Sequence, residues 1–253
     1  ENMTFMFRGC SILTEINTSM WNTEKAQTLQ GAFWGCSSLT ELDVSGWDVG
    51  NVTDMYAMFY DCQNLDGLVV SDWNVGNVTT MGFMFSECKK LSALDVSKWD
   101  VGNVISMEAM FPACEGLTYL DVSKWDVSNV TTFRSFLQSA DDNSGGMKIE
   151  EIRGIENWNT SSATNMAWMF YGCSNLTSLN LSTNLETGAW DVSKVTTMYH
   201  MFSDCFSLTT LNMKGWNTES LIDMDGIFND CNSLKVIDVS DFDTQNVTDM
   251  DQV

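Results

Sequence analysis

Apolar positions along the chain follow two alternating rhythms. Between residues 39 and 49 they fall at Leu39, Leu42, Val44, Trp47 and Val49, with polar Asp43 and Ser45 between them. The alternation around Leu42 and Val44 predicts a short strand with one face turned inward. From residue 52 the rhythm changes, and Val52, Met55, Met58, Phe59 and Cys62 recur at steps of three and four. That spacing predicts one buried side of a short helix. The whole passage then repeats. Cysteine stands at 10, 36, 62, 88, 114, 173, 205 and 231, so successive intervals are 26, 26, 26, 26, 59, 32 and 26 residues. Ala140 fills the skipped position and splits the long interval into 26 and 33. Tryptophan keeps the same beat at 21, 47, 73, 99, 125, 158, 190 and 216, and Phe242 closes the column. Each of these Trp residues lies fifteen before the next Cys, or before Ala140, so both expansions sit on the Cys-to-Trp side.

A turn made of one strand and one short helix can bury its apolar side only against its neighbours, which makes the array quasi-one-dimensional. About nine copies therefore predict a single α/β solenoid domain over residues 1–253, with short parallel strands on one face and short helices on the other. At ~4.8 Å per stacked strand, it would span on the order of 40 Å. Insertions fall at Asp141 to Lys148 and at Thr183 to Ala189, and the turn holding Ile149, Ile152 and Ile155 is degenerate. The chain starts inside one helical segment (Met3 to Phe7) and stops inside another (Val247 to Met250) without polar caps, the expectation for part of a longer protein.

The motif L-T-E-L-D-V-S-G-W-D-V-G-N-V-T-D-M-Y-A-M-F-Y-D-C at 39–62 and its copies, such as L-S-A-L-D-V-S-K-W-D-V-G-N-V-I-S-M-E-A-M-F-P-A-C at 91–114, resemble the BspA-like leucine-rich repeats. The likeness is to the type found in mycoplasma surface lipoproteins, and it covers essentially the whole chain. It implies a right-handed leucine-rich-repeat coil and a secreted or surface-exposed module for adhesion and interaction. No shared catalytic residue comes with it.

Each repeated column admits two readings. The cysteines could form a disulfide or metal framework, but Ala140 substitutes for one of them and zinc-type spacing is absent, so free buried thiols fit better. Each Trp of the main column could bury on the order of 150 to 250 Å² at an inward corner, against an alternative role as a sugar platform. Trp34 and Trp168 lie outside that column and are the candidates for exposed aromatic contact. The column after Trp reads Asp48, Asn74, Asp100, Asp126, Asn159, Asp191, Asn217 and Asp243. A ladder of carboxylates could take Ca²⁺, yet the free exchange of Asp and Asn favours a turn-forming role. Asn-x-Ser/Thr sequons include a repeated N-V-T at Asn51, Asn77, Asn129 and Asn246, where turn and cap duties compete with glycosylation; Asn175 and Asn180 are the better acceptors. The single His200 is expected on the solvated surface, and no nucleophile motif or phosphate loop is present, so an enzyme is not expected.

Composition narrows the partners. Twelve Lys and Arg against 34 Asp and Glu give a formal charge of -22, which repels phosphate backbones and argues against nucleic acid. No apolar run reaches the length of a membrane-spanning helix. Outward strand positions should line one continuous acidic, hydroxyl-rich face, and the candidate ligand-binding residues are Glu41, Asp43, Ser45, Ser71, Asp95, Ser97, Tyr119, Asp121, Ser123, Asn180, Ser182, Asn212, Lys214, Asp238 and Ser240. With the two inserted loops, this face is expected to recognise protein or glycan outside the cell, without a metal or cofactor. A spacer or assembly subunit with no small ligand is the alternative.

Overall fold

A computed structural model describes residues 1–140, 146–184 and 186–253. The strands are short and parallel. Glu41–Leu42 (β1) pairs with Gly67–Leu68 (β2), and the ladder continues to Ala93. Tyr119–Asp121 (β3) pairs with Glu151–Arg153 (β4), and Ser178–Asn180 (β5) with Thr210–Asn212 (β6). Leu42, Leu68, Leu120, Ile152, Leu179 and Leu211 point inward and are buried, while their strand neighbours face out. Ile152 stands beside Leu120, so the degenerate turn keeps the register of the column despite the insertion before it. A 3-10 helix, Ile155–Asn157, follows it. A second line of parallel bridges runs from Asn2 through Thr28, Asp54, Thr80, Ser106, Thr132, Asn165, Thr197 and Asp223 to Asp249.

The predicted α-helices do not form. Where Val52, Met55, Met58, Phe59 and Cys62 suggested one, the backbone makes a succession of tight turns. Met58 N–H donates to Met55 C=O (3.2 Å), Tyr60 to Ala57 (3.2 Å) and Cys62 to Phe59 (3.1 Å). Between these, alternate amides leave the coil altogether: Met55, Ala57, Phe59 and Asp61 donate to the carbonyls of Thr80, Gly82, Met84 and Ser86 in the next coil, at 2.8–3.1 Å. Ala57 and Asp61 have φ of 53° and 61°, the left-handed value that a type II turn needs at its third residue. Glycine holds the same two columns at Gly31 and Gly226 and at Gly9, Gly35 and Gly172. A helix of two turns would satisfy few of its own amides and bear the full nucleation cost. The ladder instead spends every second amide on a neighbour already in place. The segment Met3 to Phe7 follows the same course, with Met3, Phe5 and Phe7 donating to Thr28, Gln30 and Ala32 of the next coil, and Val247 to Met250 is likewise not helical but carries the bridge at Asp249.

The interior is a stack of equivalent side chains. Phe33, Phe59, Phe85 and Phe111 lie ring on ring at 5.5–5.9 Å with interplanar angles of 3–13°. Trp73 stacks on Trp99, Trp125 on Trp158, and Trp190 on Trp216, which in turn meets Phe242. From Trp47 to Trp216 the whole Trp column is buried, as core packing requires and a sugar platform does not. The columns also tie coils together through their polar atoms. Trp73, Trp99, Trp125, Trp190 and Trp216 donate Nε1–H to the carbonyls of Val44, Val70, Val96, Ile155 and Leu181, one coil back. Cys36, Cys62, Cys88, Cys114, Cys173, Cys205 and Cys231 point their thiols at main-chain carbonyls of the preceding coil at 3.0–3.4 Å. Burial pushes these thiols up, Cys36 to about 11 and Cys62, Cys88 and Cys205 well above the ordinary thiol value.

Candidate functional site

The outward strand positions form one strip, and its polar groups are arranged by short-range hydrogen bonds. Asp43 accepts from the N–H and hydroxyl of Ser45 at 3.0 and 2.6 Å, and Asp95 does the same with Ser97 at 3.0 and 2.7 Å. Asp121 accepts from Ser123 N–H, and Asp238 from Ser240 N–H, each at 3.0 Å. The Ser hydroxyl, then the Ser amide, holds each of these four carboxyls below the usual carboxylate range, so the strip stays anionic. Further along, Asn180 Oδ1 accepts from Ser182 Oγ (3.1 Å) and from Asn212 Nδ2 (2.8 Å), and Asn212 Oδ1 accepts from Lys214 N–H (3.1 Å). Glu41 lies exposed at the start of β1, and Ser71, half-buried, occupies the serine position of the next coil.

Pockets interrupt this strip, among them one of about 510 Å³ at its start, beside Asn17, Ser19 and Asp43, and two further along. Of these two, one of about 400 Å³ is lined by Ser92, Ala93, Leu94, Asp95, Ser97, Tyr119 and Asp121. It brings together four of the residues that the sequence pattern selected. The other, about 320 Å³, lies where β4 meets β5 and carries Glu150, Glu151 and Glu156 around Ile152, Ile155 and Leu179. Arg153 joins the first group from the neighbouring strand: its guanidinium reaches Asp121 Oδ2 at 3.4 Å, beside the Tyr119 hydroxyl at 3.5 Å. Sequence reasoning missed Arg153, although the placement of Ile152 in the leucine column would have put it opposite Asp121.

Of the two insertions, residues 141–145 and Leu185 lie outside the described residues. The rest of the second one folds back on the coil, with Asn184 and Asn159 each bridged antiparallel to Ala189. Its Thr183 hydroxyl donates to Trp190 C=O (3.0 Å).

Turn formation explains the Asp/Asn column. Asp48, Asn74, Asp100, Asp126, Asn159, Asp191, Asn217 and Asp243 each accept the N–H two residues on, at 2.9–3.3 Å. Among the described residues no group of three or more His, Cys, Asp or Glu side chains is placed to hold a metal ion. In the N-V-T column, Asn51, Asn77, Asn129 and Asn246 donate their amides to Glu24, Gly50, Gly102 and Glu219 C=O of the preceding coil at 2.7–2.8 Å. Asn103, which is not a sequon, makes the same bond to Gly76, so the column's duty is structural. Asn175 and Asn180 are exposed.

Two expectations need correction. His200 is not a solvated surface group: its ring is half-buried, its Nδ1 is enclosed, and it packs 4.3 Å from Tyr199. Trp34 and Trp168 are half-buried too, each with an arginine over its ring, Arg8 at 4.5 Å and Arg134 at 4.6 Å. The tight-turn ladder, unlike a helix, lays successive side chains along the surface where they cover one another.

Three overlapping stretches, residues 1–93, 67–150 and 145–253, match the family described as "Mycoplasma protein of unknown function, DUF285". No curated protein sequence matches the chain. Among solved structures, it is similar to a leucine-rich repeat protein from Eubacterium ventriosum (15% identity, TM-score 0.42), covering 88% of this chain and 60% of that one. It is also similar to the T. pallidum leucine-rich repeat protein (15% identity, TM-score 0.36), covering 81% of this chain and 69% of that one. A leucine-rich repeat protein of Leptospira interrogans gives 14% identity and a TM-score of 0.36, with 89% and 48% covered. Among the described residues no helix is long and apolar enough to cross a membrane.

Proposed function

The chain belongs to the DUF285 family of mycoplasma proteins, and from that starting point we propose that it is a non-enzymatic recognition module, displayed outside the cell, that binds a protein or glycan partner. The binding surface is the strand face together with the inserted loops. The observation that carries this reading is the pocket where Asp95, Ser97, Tyr119 and Asp121 meet. There an aromatic ring 43% exposed stands among carboxylates whose geometry is fixed by their own serines. Pre-set polar groups around an exposed ring are the usual composition of a recognition surface, because little side-chain entropy is lost on binding. The core beneath is repeated, whereas the outward positions vary from Glu41 through Gly67 and Ala93 to Tyr119. That contrast favours a specific face over a uniform spacer. The surface location rests on the resemblance to BspA-like repeats of the mycoplasma lipoprotein type.

Adhesion to cultured host cells, measured with beads coated in the purified chain, tests the proposal. Tyr119→Ala with Asp95→Asn and Asp121→Asn is expected to reduce attachment at least tenfold, and deletion of Thr183 to Ala189 to weaken it further. Attachment by both variants at the parental level would remove the strand face as the binding surface. Recovery of the chain as a fixed-stoichiometry component of a larger assembly, with no attachment of its own, would favour the spacer reading instead.

A further inference from the structure

The turn ladder carries a second surface. Phe5, Trp34, Tyr60, Phe83 and Tyr56 form a continuous ribbon of rings across four coils, with centroids 6.1, 4.8, 6.3 and 5.5 Å apart in that order. Unlike the core rings from Phe33 to Phe111, which lie nearly flat on one another, these meet at interplanar angles of 54–64°. Trp34, Tyr56, Tyr60 and Phe83 are all half-buried, so each keeps part of its surface in reach of solvent. The faces of aromatic rings attract cations through their quadrupole. The structure seats one at the ribbon's end: the Arg8 guanidinium lies 4.9 Å from the Phe5 centroid and 4.5 Å from that of Trp34.

Beyond Arg8 the ribbon's surroundings are anionic. Asp61 and Glu87 border Tyr60, and Asp54 and Glu108 border Tyr56; burial first, and then these carboxylates, push both phenols up. Glu87 and Glu108 face Lys89 and Arg134, while Asp54 and Asp61 spend an oxygen on the Tyr56 N–H and the Gln63 amide. Four carboxylates against Lys89, Arg134 and, at the Trp34 end, Arg8 leave the rim with a net negative charge, on a chain whose formal charge is -22.

We propose that the trough of Trp34, Tyr60, Phe83 and Tyr56 docks an arginine-bearing segment of a partner protein, continuing along the ribbon the contact that Arg8 makes at its end. Ring faces supply the cation–π attraction, the carboxylate rim draws the segment in, and planar guanidinium stacks better on such rings than ammonium does. This surface is separate from the strand face, so either can fail without the other.

The test uses the full chain and a fluorescent decapeptide of alternating arginine and glycine, followed by anisotropy at about 0.15 M salt. Trp34→Leu with Tyr60→Leu keeps every charge and most of the apolar cover, and is expected to weaken binding about fivefold or more. Tyr60→Phe retains the ring and is expected to bind as the parent does. If the double variant proves unfolded by circular dichroism, Tyr56→Leu alone replaces it, with a loss of at least about twofold expected. Equal binding by folded ring variants would show attachment by net charge alone and overturn the proposal. So would binding of a chito-oligosaccharide, but not the peptide, in a ring-dependent way, which would make the ribbon a glycan platform.

Discussion

The imidazole of His200 lies directly over Gly226 in the next coil: a Cβ built on the glycine would stand 2.4 Å from His200 Cε1. The same relation holds between Phe5 and Gly31, at 2.3 Å. Gly226 has φ of 60°, so it answers two demands at once, a left-handed turn and room for the ring above. Gly226→Ala is expected to destabilise the protein by roughly 2–4 kcal/mol, from the strained backbone and the overlap together. Adding His200→Ala should recover the overlap part only. Denaturant midpoints of the two single variants and the double one check this, and strict additivity would refute the packing relation.

The Trp column offers an internal control for the inter-coil hydrogen bonds. Trp99 donates to Val70 C=O at 3.0 Å, whereas Trp47 Nε1 is buried without a partner. Trp99→Phe should therefore cost about 1 kcal/mol more than Trp47→Phe, since the second substitution removes no bond and relieves an unsatisfied donor. Equal losses in parallel urea titrations would show that ring volume alone matters.

Asn77 spends its amide on Gly50 C=O at 2.7 Å, and Asn175 is exposed. Secreted from a eukaryotic host, the chain should carry glycan at Asn175 in most molecules and at Asn77 in few. Peptide mass mapping gives the occupancies directly. Asn77→Ala should lower stability by about 1 kcal/mol, and Asn175→Ala should leave it within about 0.5 kcal/mol.

Alkaline pH should weaken the fold. Burial lifts Cys36 and Cys231 from 9.0 to about 11, so the folded chain keeps protons that the unfolded chain releases. Their stabilising contribution is complete below pH 9 and is lost as pH rises through about 11. Cys36→Ala, the residue that Ala140 already shows in this column, should flatten the fall of Tm across that window. An unchanged slope would mean that other groups govern it.

Much of this architecture was legible in the sequence because stacking makes one side chain's requirement recur every 26 residues: Leu42, Trp47 and Cys62 each belong to a column that the structure keeps. The helices were not legible, for a specific reason. Met55, Met58, Phe59 and Cys62 face inward whether the chain winds as a helix or as tight turns with left-handed residues four apart, at Ala57 and Asp61. The distinguishing signal was the glycines at 9, 31, 35, 172 and 226, all in those two columns. At the strand face the pairing of Asp43 with Ser45 and of Asp95 with Ser97 follows from local spacing. Arg153 and the ring ribbon come from positions that neighbour one another only once coils are stacked.

Side-chain donors of Asn77, Trp73 and Cys62 reach back to the preceding coil, while the amides of Met55 and Ala57 reach forward to the following one. The junctions that lead into the coils of Trp73, Trp99 and Trp125 thus use the same set of partners. A gene encoding such an array can lose or duplicate a block of 26 codons by recombination between copies, and the two edges brought together would match without any compensating change. Length becomes a trait that selection can adjust in unit steps, independently of the surface residues that decide what is bound.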